Sequence, residues 1–287
     1  MIDEHLLKQL VTFADKHTLS ATAEHLMLTQ PTVTRGMQKL ETDLGVKLFK
    51  RQSNQITLNQ TGQFSVNEAR KVLKQNETFM TRVKNYDRSH RIIEVGSNAP
   101  GPIIVLNRVA QHTPNIAVQS ELIATANLKN KLEDNQYSFI ISNQEIQTEQ
   151  IESYYLNHEQ LSVNLDQFMP QANQATIKFK ALKGLSFVVF QDIGPWKQII
   201  QDNIPDAKFL YQAQWEALTD ITNYASFPYF NTNITAAKNH TGNQVQIPIS
   251  DPIATMDFYI NYLKTRKKLA LSLVESIRNN WSSQWAK

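Results

Sequence analysis

The sequence predicts an α+β, multidomain chain, and three changes of texture along it carry that expectation. Up to about residue 59, short helical patterns are separated by compact turns. From 59 to about 88 a single helical pattern runs without a proline. After Arg91, strand-like stretches at 92–95, 116–123 and 137–142 alternate with helical ones at 102–111 and 127–133. That alternation reads as βαβ units on a mostly parallel sheet. At 287 residues the chain has room for one large core or for a few smaller ones.

Three short helices open the chain. The first runs from about 3 to 16, with Leu6, Leu10 and Phe13 on one face. Thr18 suits the N-cap of a second helix, from about 21 to 26, and Thr29 that of a third. Pro31 fits the third helix's first turn, where a missing N–H costs nothing. On that helix Val33, Met37, Leu40 and Leu44 fall within an arc of about 60° at 100° per residue. Gly45 ends it as a C′ residue.

The opposite face carries Thr32, Thr34, Arg35, Gln38 and Lys39, a row of donors and cations without a carboxylate. Phosphates and base edges call for such a surface, because acids are repelled by DNA and long donors reach into its grooves. Gly36 costs about 1 kcal/mol relative to alanine inside a helix, and close approach to DNA is one reason for its presence. The stretch "VKLFKRQSNQITL" follows: Leu48 and Phe49 point to a core, a polar tip comes next, and Ile56 and Leu58 alternate after it. It reads as the hairpin of a winged helix-turn-helix, with Lys50 and Arg51 reaching the phosphate backbone.

Charge agrees with that placement. Residues 1–90 hold 13 Lys and Arg against 9 Asp and Glu; the remainder holds 16 against 17. The net +3 of the whole chain is therefore concentrated at the N-terminus.

The first sixty residues resemble the N-terminal domain of the LysR-type transcriptional regulators. The resemblance is carried by Phe13, Ala21, Ala23, Leu26, Thr29-Gln30-Pro31, Arg35, Leu40-Glu41, Leu44-Gly45, Leu48-Phe49, Arg51, Leu58 and Gly62. It implies that Thr29, Gln30, Pro31, Thr32 and Arg35 face the major groove and that Arg51 is the wing contact. Gly36 departs from the family's longer polar residue and removes one base contact.

Asn59 suits the N-cap of the long helix, about 42 Å at 1.5 Å per residue. Val66, Ala69, Leu73, Asn76, Met80 and Val83 are spaced by three and four, an a/d seam with one polar member. The expectation is that this seam pairs with a second copy and that Asn76 fixes its register. Val72, Phe79 and Tyr86 form a second stripe, expected to pack elsewhere, on the first helix for instance. The family's dimerisation through a linker helix implies the same assembly.

From Arg91 onward the resemblance is weaker. It implies a periplasmic-binding-protein-like effector domain of two α/β subdomains. The expected boundaries are 1–58 for the winged domain, 59–89 for the linker helix, 91–160 with 254–287 for subdomain I, and 161–253 for subdomain II. "MDFYINYLK" supplies the returning strand and 269–285 a closing helix. In "IIEVGSNAPGPIIVLNRVA" a strand gives way to a helix start suited to a carboxylate or another small anion. The candidates for contact with a small organic effector are Ser97, Asn98, Thr125, Asn143, Gln191 and Phe227. Bulky residues Ser226-Phe227-Pro228 stand where the family often has a glycine-containing turn, and are expected to narrow the pocket.

Other chemistries lack their residues. Cys is absent, which removes disulfides, thiol catalysis and cysteine metal sites. The histidines at 5, 17, 25, 90, 112, 158 and 240 are scattered, with no metal-ligand spacing and no phosphate-cradling loop among only 8 glycines. No enzyme, cofactor or metal is expected. No run of about 18 apolar residues suits a membrane span, and the acidic start lacks a secretory h-region, so a cytoplasmic location is expected. The expected partners are promoter DNA, a second copy as a dimer or tetramer, an effector and RNA polymerase. The alternative is an enzyme or ligand-binding protein carrying an autoregulatory winged helix; the glycine- and arginine-rich nucleotide loop such an enzyme needs is missing.

Overall fold

The computed structural model describes residues 2–52, 55–214, 227–235 and 243–281, arranged as two compact units, Met1–Lys84 and Asn85–Lys287. In the first unit, α1 (Glu4–Lys16), α2 (Leu19–His25) and α3 (Gln30–Leu44) precede a two-stranded hairpin, β1 (Phe49–Gln52) and β2 (Gln55–Leu58). The start of α4 (Gln60–Ser89) completes the unit. Local sequence sets each boundary. The Thr18 hydroxyl accepts from Ala21 N–H at 3.2 Å, that of Thr29 from Thr32 N–H at 3.3 Å, and Asn59 Oδ1 from Gly62 N–H at 2.7 Å. Gly45 closes α3 at φ 69°, a conformation glycine adopts without strain.

One core joins these helices: Leu6, Leu10, Phe13, Val33, Met37, Leu40, Leu48 and Phe49, with Val66 and Ala69 from α4. Leu44, expected in the buried stripe of α3, is 37% exposed because the helix ends beyond that core.

Gly36 is buried, and not at a DNA-facing position as the sequence suggested. A β-carbon there would lie 2.0 Å from Gln9 Oε1, so α1 is what approaches closely.

The second unit is built on one continuous mixed sheet of two halves. β3 (Ile93–Ser97), β4 (Ile116–Val118) and β5 (Phe139–Ser142) are mutually parallel, with α5 (Pro100–Ala110) and α6 (Leu128–Glu133) between them. β6 (Ile151–Asp166) then runs through both halves. Its first part pairs antiparallel with β11 (Thr255–Leu263), and its last part with β9 (Tyr229–Thr232) and β10 (Gln244–Pro248). β7 (Ser186–Phe190), α7 (Trp196–Asn203) and β8 (Lys208–Gln212) extend the second half, and α8 (Lys267–Asn279) packs back on the first.

The sheet is mixed and not mostly parallel. Two long strands, β6 and β11, return antiparallel between the parallel sets. Apolar residues from both halves form the main core, including Val95, Phe139, Val163, Phe187, Phe258 and Trp281.

Candidate nucleic-acid interface and effector cleft

The exposed face of α3 gathers the sequence candidates. Thr29, Gln30, Pro31, Thr32, Arg35, Gln38 and Lys39 are exposed, as are Lys50 and Arg51 on the hairpin. Arg35, Lys39 and Lys50 meet no carboxylate among the described residues, so their charge is available to a partner. Some donors are spent locally. Thr34, half-buried, donates its hydroxyl to Gln30 C=O at 2.9 Å, which removes it as a free donor. The Thr29 and Thr32 hydroxyls share a hydrogen bond of 2.8 Å, and Ser20 donates to Gln30 Oε1 at 3.2 Å. Gln30 therefore keeps its amide N–H₂ for donation.

The hairpin is fixed to α3 through Glu41. This buried carboxylate accepts from the N–H groups of Leu48 (2.8 Å) and Phe49 (3.3 Å). Lys47 and Arg51 approach its other oxygen at 3.6 and 3.8 Å. Arg51 is thus held beside α3 while remaining half exposed. The hairpin tip, residues 53 and 54, lies outside the described residues.

On α4 the expected seam divides: its first half packs within its own unit and its second half is exposed, as is the second stripe. Val66 and Ala69 are buried in their own unit's core, Leu73 is half-buried, and Asn76 Nδ2 donates to Glu4 Oε2 on α1 at 3.2 Å. These positions serve intrachain packing because α1 lies over them. Val72, Phe79 and Tyr86 are exposed, together with Phe64, Met80 and Val83. Only Met80 and Val83 of the expected seam remain open to a second copy.

In the second unit, four of the six expected effector residues come together. Asn98, Thr125, Asn143 and Gln191 line a cleft of about 420 Å³, joined by Asp192 and Lys197. Asn98 Nδ2 donates to Asn143 Oδ1 at 2.7 Å and to Thr125 Oγ1 at 3.3 Å. Lys197 Nζ sits 4.6 Å from the centre of the Tyr211 ring.

Two candidates fall elsewhere. Ser97 is fully buried, and its hydroxyl accepts from Ala99 N–H at 3.1 Å, so it caps the turn instead of facing the cleft. Phe227 does not line the cleft; its carbonyl accepts from Gln244 Nε2 at 3.3 Å at the far end of β10. Ser226 lies outside the described residues.

The carboxylate seat expected at the start of α5 is not available. Pro100 and Pro102 lack N–H groups, and Ala99 N–H is already bonded to Ser97. Of the helix's first three residues only Gly101 carries an N–H, and the Glu159 carboxyl packs against that glycine. A β-carbon on Gly101 would lie 2.1 Å from Glu159 Oε1. Glu159, which the sequence reading passed over, is fully buried and accepts from Thr232 Oγ1 (2.7 Å) and Trp196 Nε1 (3.1 Å). Burial without a cation raises its carboxyl above the usual range.

No described helix is long and apolar enough to cross a membrane, and the described residues hold no cluster of His and acids that could bind a metal.

Residues 5–63 match the bacterial regulatory helix-turn-helix protein model of the LysR family. The chain is 22% identical over 205 residues to the uncharacterized HTH-type transcriptional regulator YbhD of Escherichia coli K12, covering 70% of this chain and 65% of that protein. The chain thus spans less than two thirds of that relative's length. Among solved structures, Vibrio fischeri DarR in complex with DNA superposes with a TM-score of 0.62 at 15% identity, covering 96% of this chain and 98% of that one. A full-length OxyR variant from Pseudomonas aeruginosa gives 0.53 at 20% identity, covering 99% and 98%. These likenesses establish a shared fold along the full chain. Residues 5–63 thus carry a helix-turn-helix domain of the LysR family, borne on a fold shared with full-length regulators of that kind.

Proposed function

We propose that the protein is a LysR-type transcriptional regulator, a homodimer or dimer of dimers that binds promoter DNA through α3 and the β1–β2 hairpin. The observation that carries this reading is the exposed face of α3, where Gln30, Arg35, Gln38 and Lys39 stand without an acid among them. Thr29, Pro31 and Thr32 shape the helix start and Lys50 and Arg51 supply phosphate contacts. The DNA-bound state of DarR supports the same docking mode here. The second unit regulates and does no chemistry. A small organic effector in the cleft of Asn98, Thr125, Asn143 and Gln191 would favour one arrangement of the dimer over another. RNA polymerase is then the downstream partner, and the cytoplasm the place of action.

A gel shift on the DNA upstream of the protein's own gene tests this. Arg35→Ala should weaken specific binding at least tenfold while sparing non-specific binding, a loss of about 1–3 kcal/mol for a base contact. Arg51→Ala should weaken both alike and lower the salt dependence. Equal losses for Arg35→Ala on both kinds of DNA would remove base readout from α3.

A further inference from the structure

We propose that Glu159 is a built-in occupant of the junction between the two halves of the second unit. Its carboxyl takes the position at the first turn of α5 that an organic acid would need, and it clamps α5 to α7 and β9. Glu159 sits near the point where β6 passes from one half-sheet to the other: Glu159 still pairs with β11, and from Leu161 the strand pairs with β9. Both donors to its carboxyl, Trp196 Nε1 and Thr232 Oγ1, belong to the second half. Gly101, against which the carboxyl packs, belongs to the first. A second close approach lies beside it, where a β-carbon on Gly194 would be 2.3 Å from Asn98 C=O. The two halves are therefore in direct contact at these points.

Among the described residues no charged group neutralises this carboxyl. β11 presents Met256 opposite it, α7 presents Trp196, β9 presents Thr232 and α5 presents Gly101. His158 and Asp257 neighbour it in sequence on β6 and β11 but alternate to the other face of the sheet. Arg108, two turns further along α5, is committed to the carbonyls of Asn280 and Ile234, and Arg278 of α8 to those of Leu156 and Tyr155. Lys197 is engaged with Tyr211.

An ionised carboxylate is expensive in such a place, and burial raises this carboxyl above its usual range against the opposing hydrogen bonds of Thr232 and Trp196. The consequence for effectors, which rests on the regulator reading above, is that this cleft rejects a carboxylate at the α5 start. The neighbouring space, lined by Asn98, Asn143 and Gln191 with Asp192 and Lys197 beside them, remains for a polar ligand.

The sign of the pH dependence follows from the raised carboxyl. Its contribution to stability is complete below the ordinary carboxyl range and is lost as pH rises toward the raised value. Glu159→Gln mimics the neutral acid and removes that loss. Thermal and denaturant unfolding of the full chain, wild type and Glu159→Gln, should show their ratio of unfolding constants growing about tenfold per pH unit within that window. A ratio constant with pH would overturn the clamp.

Glu159→Ala frees the donors Trp196 Nε1 and Thr232 Oγ1, and acetate added near pH 5 should raise its melting temperature saturably while leaving wild type and Glu159→Gln unmoved. Acetate acting on all three proteins alike, or on none, would also overturn the proposal. If Glu159→Ala does not fold, the pH comparison with Glu159→Gln decides alone. The gel shift with wild-type protein is independent of these results. Failure to bind DNA would sink the regulator reading and leave the clamp standing.

Discussion

At Gly36 two helices meet so closely that a single methyl group decides their fit. Gln9 of α1 lies across Gly36 of α3, 6% exposed, with Oε1 lacking any hydrogen-bond partner. A helix-interior glycine costs about 1 kcal/mol against alanine, and a buried acceptor without a donor costs about 1–3 kcal/mol. Both penalties occur at one contact. Gly36→Ala alone recovers helix propensity but drives Gln9 aside, so it should be neutral or mildly destabilising. Gln9→Ala with Gly36→Ala removes the clash and the unsatisfied oxygen together. The pair should exceed the sum of its singles by about 1 kcal/mol in a double-mutant cycle on urea unfolding. Strict additivity would mean that Gln9 and Gly36 are not in the contact described. DNA affinity should hardly change in the pair, because Gly36 faces α1 and not the groove.

At the scale of the element, α4 shows what periodicity can and cannot decide. A repeat of three and four residues identified both stripes correctly as apolar, yet it carries no information on which neighbour each meets. Val66 and Ala69 went to the intrachain core because α1 lies over the start of α4, a fact of three dimensions. Phe79 and Val72 were left exposed, at 67% and 42%. The proposed dimer should therefore depend on the stripe of Phe79 more than on that of Val66. Phe79→Asp should shift sedimentation toward monomer without loss of helix content, whereas Val66→Asp should unfold the first unit by several kcal/mol, as burying an unpaired charge does. A monomer produced by a mild substitution at Leu73 but not at Phe79 would restore the original seam.

Capping and turn chemistry was legible because it is local: Thr18, Thr29, Gly45 and Asn59 each act within four residues. The βα alternation after Arg91 was legible for the same reason. β6 was not. Its sixteen residues serve the two halves of one sheet in succession, and its buried Glu159 and Asn164 interrupt the apolar alternation that marks a strand. Asn98, Thr125 and Asn143 were found by their place at strand and turn ends, whereas Phe227, which leads into β9 beside Gln244 and not into the cleft, carries no local signal of its distance from it.

For the whole molecule, the decisive feature is that the cores of the two units have no residue in common. One gathers Leu10, Phe13, Val33, Met37 and Leu40; the other gathers Val95, Phe139, Phe187, Phe258 and Trp281. The smaller core belongs to a unit of 84 residues, which buries a lower fraction of its surface on folding and is expected to be the less stable of the two. Each unit is its own cooperative system when its core is closed on itself, and two-state behaviour of the full chain is then not expected. Scanning calorimetry should resolve two transitions, and the substitutions above sort them. Gly36→Ala with Gln9→Ala should move the first alone, and Glu159→Gln at high pH the second alone. Specific DNA, binding only the folded first unit, should raise the first transition by an amount that grows with DNA concentration, by about 2.7 kcal/mol at one hundred times Kd. A single transition that all three perturbations shift together would show the units to be energetically coupled through α4. Signals would then pass between effector cleft and DNA face by shared stability, without any rearrangement of a dimer.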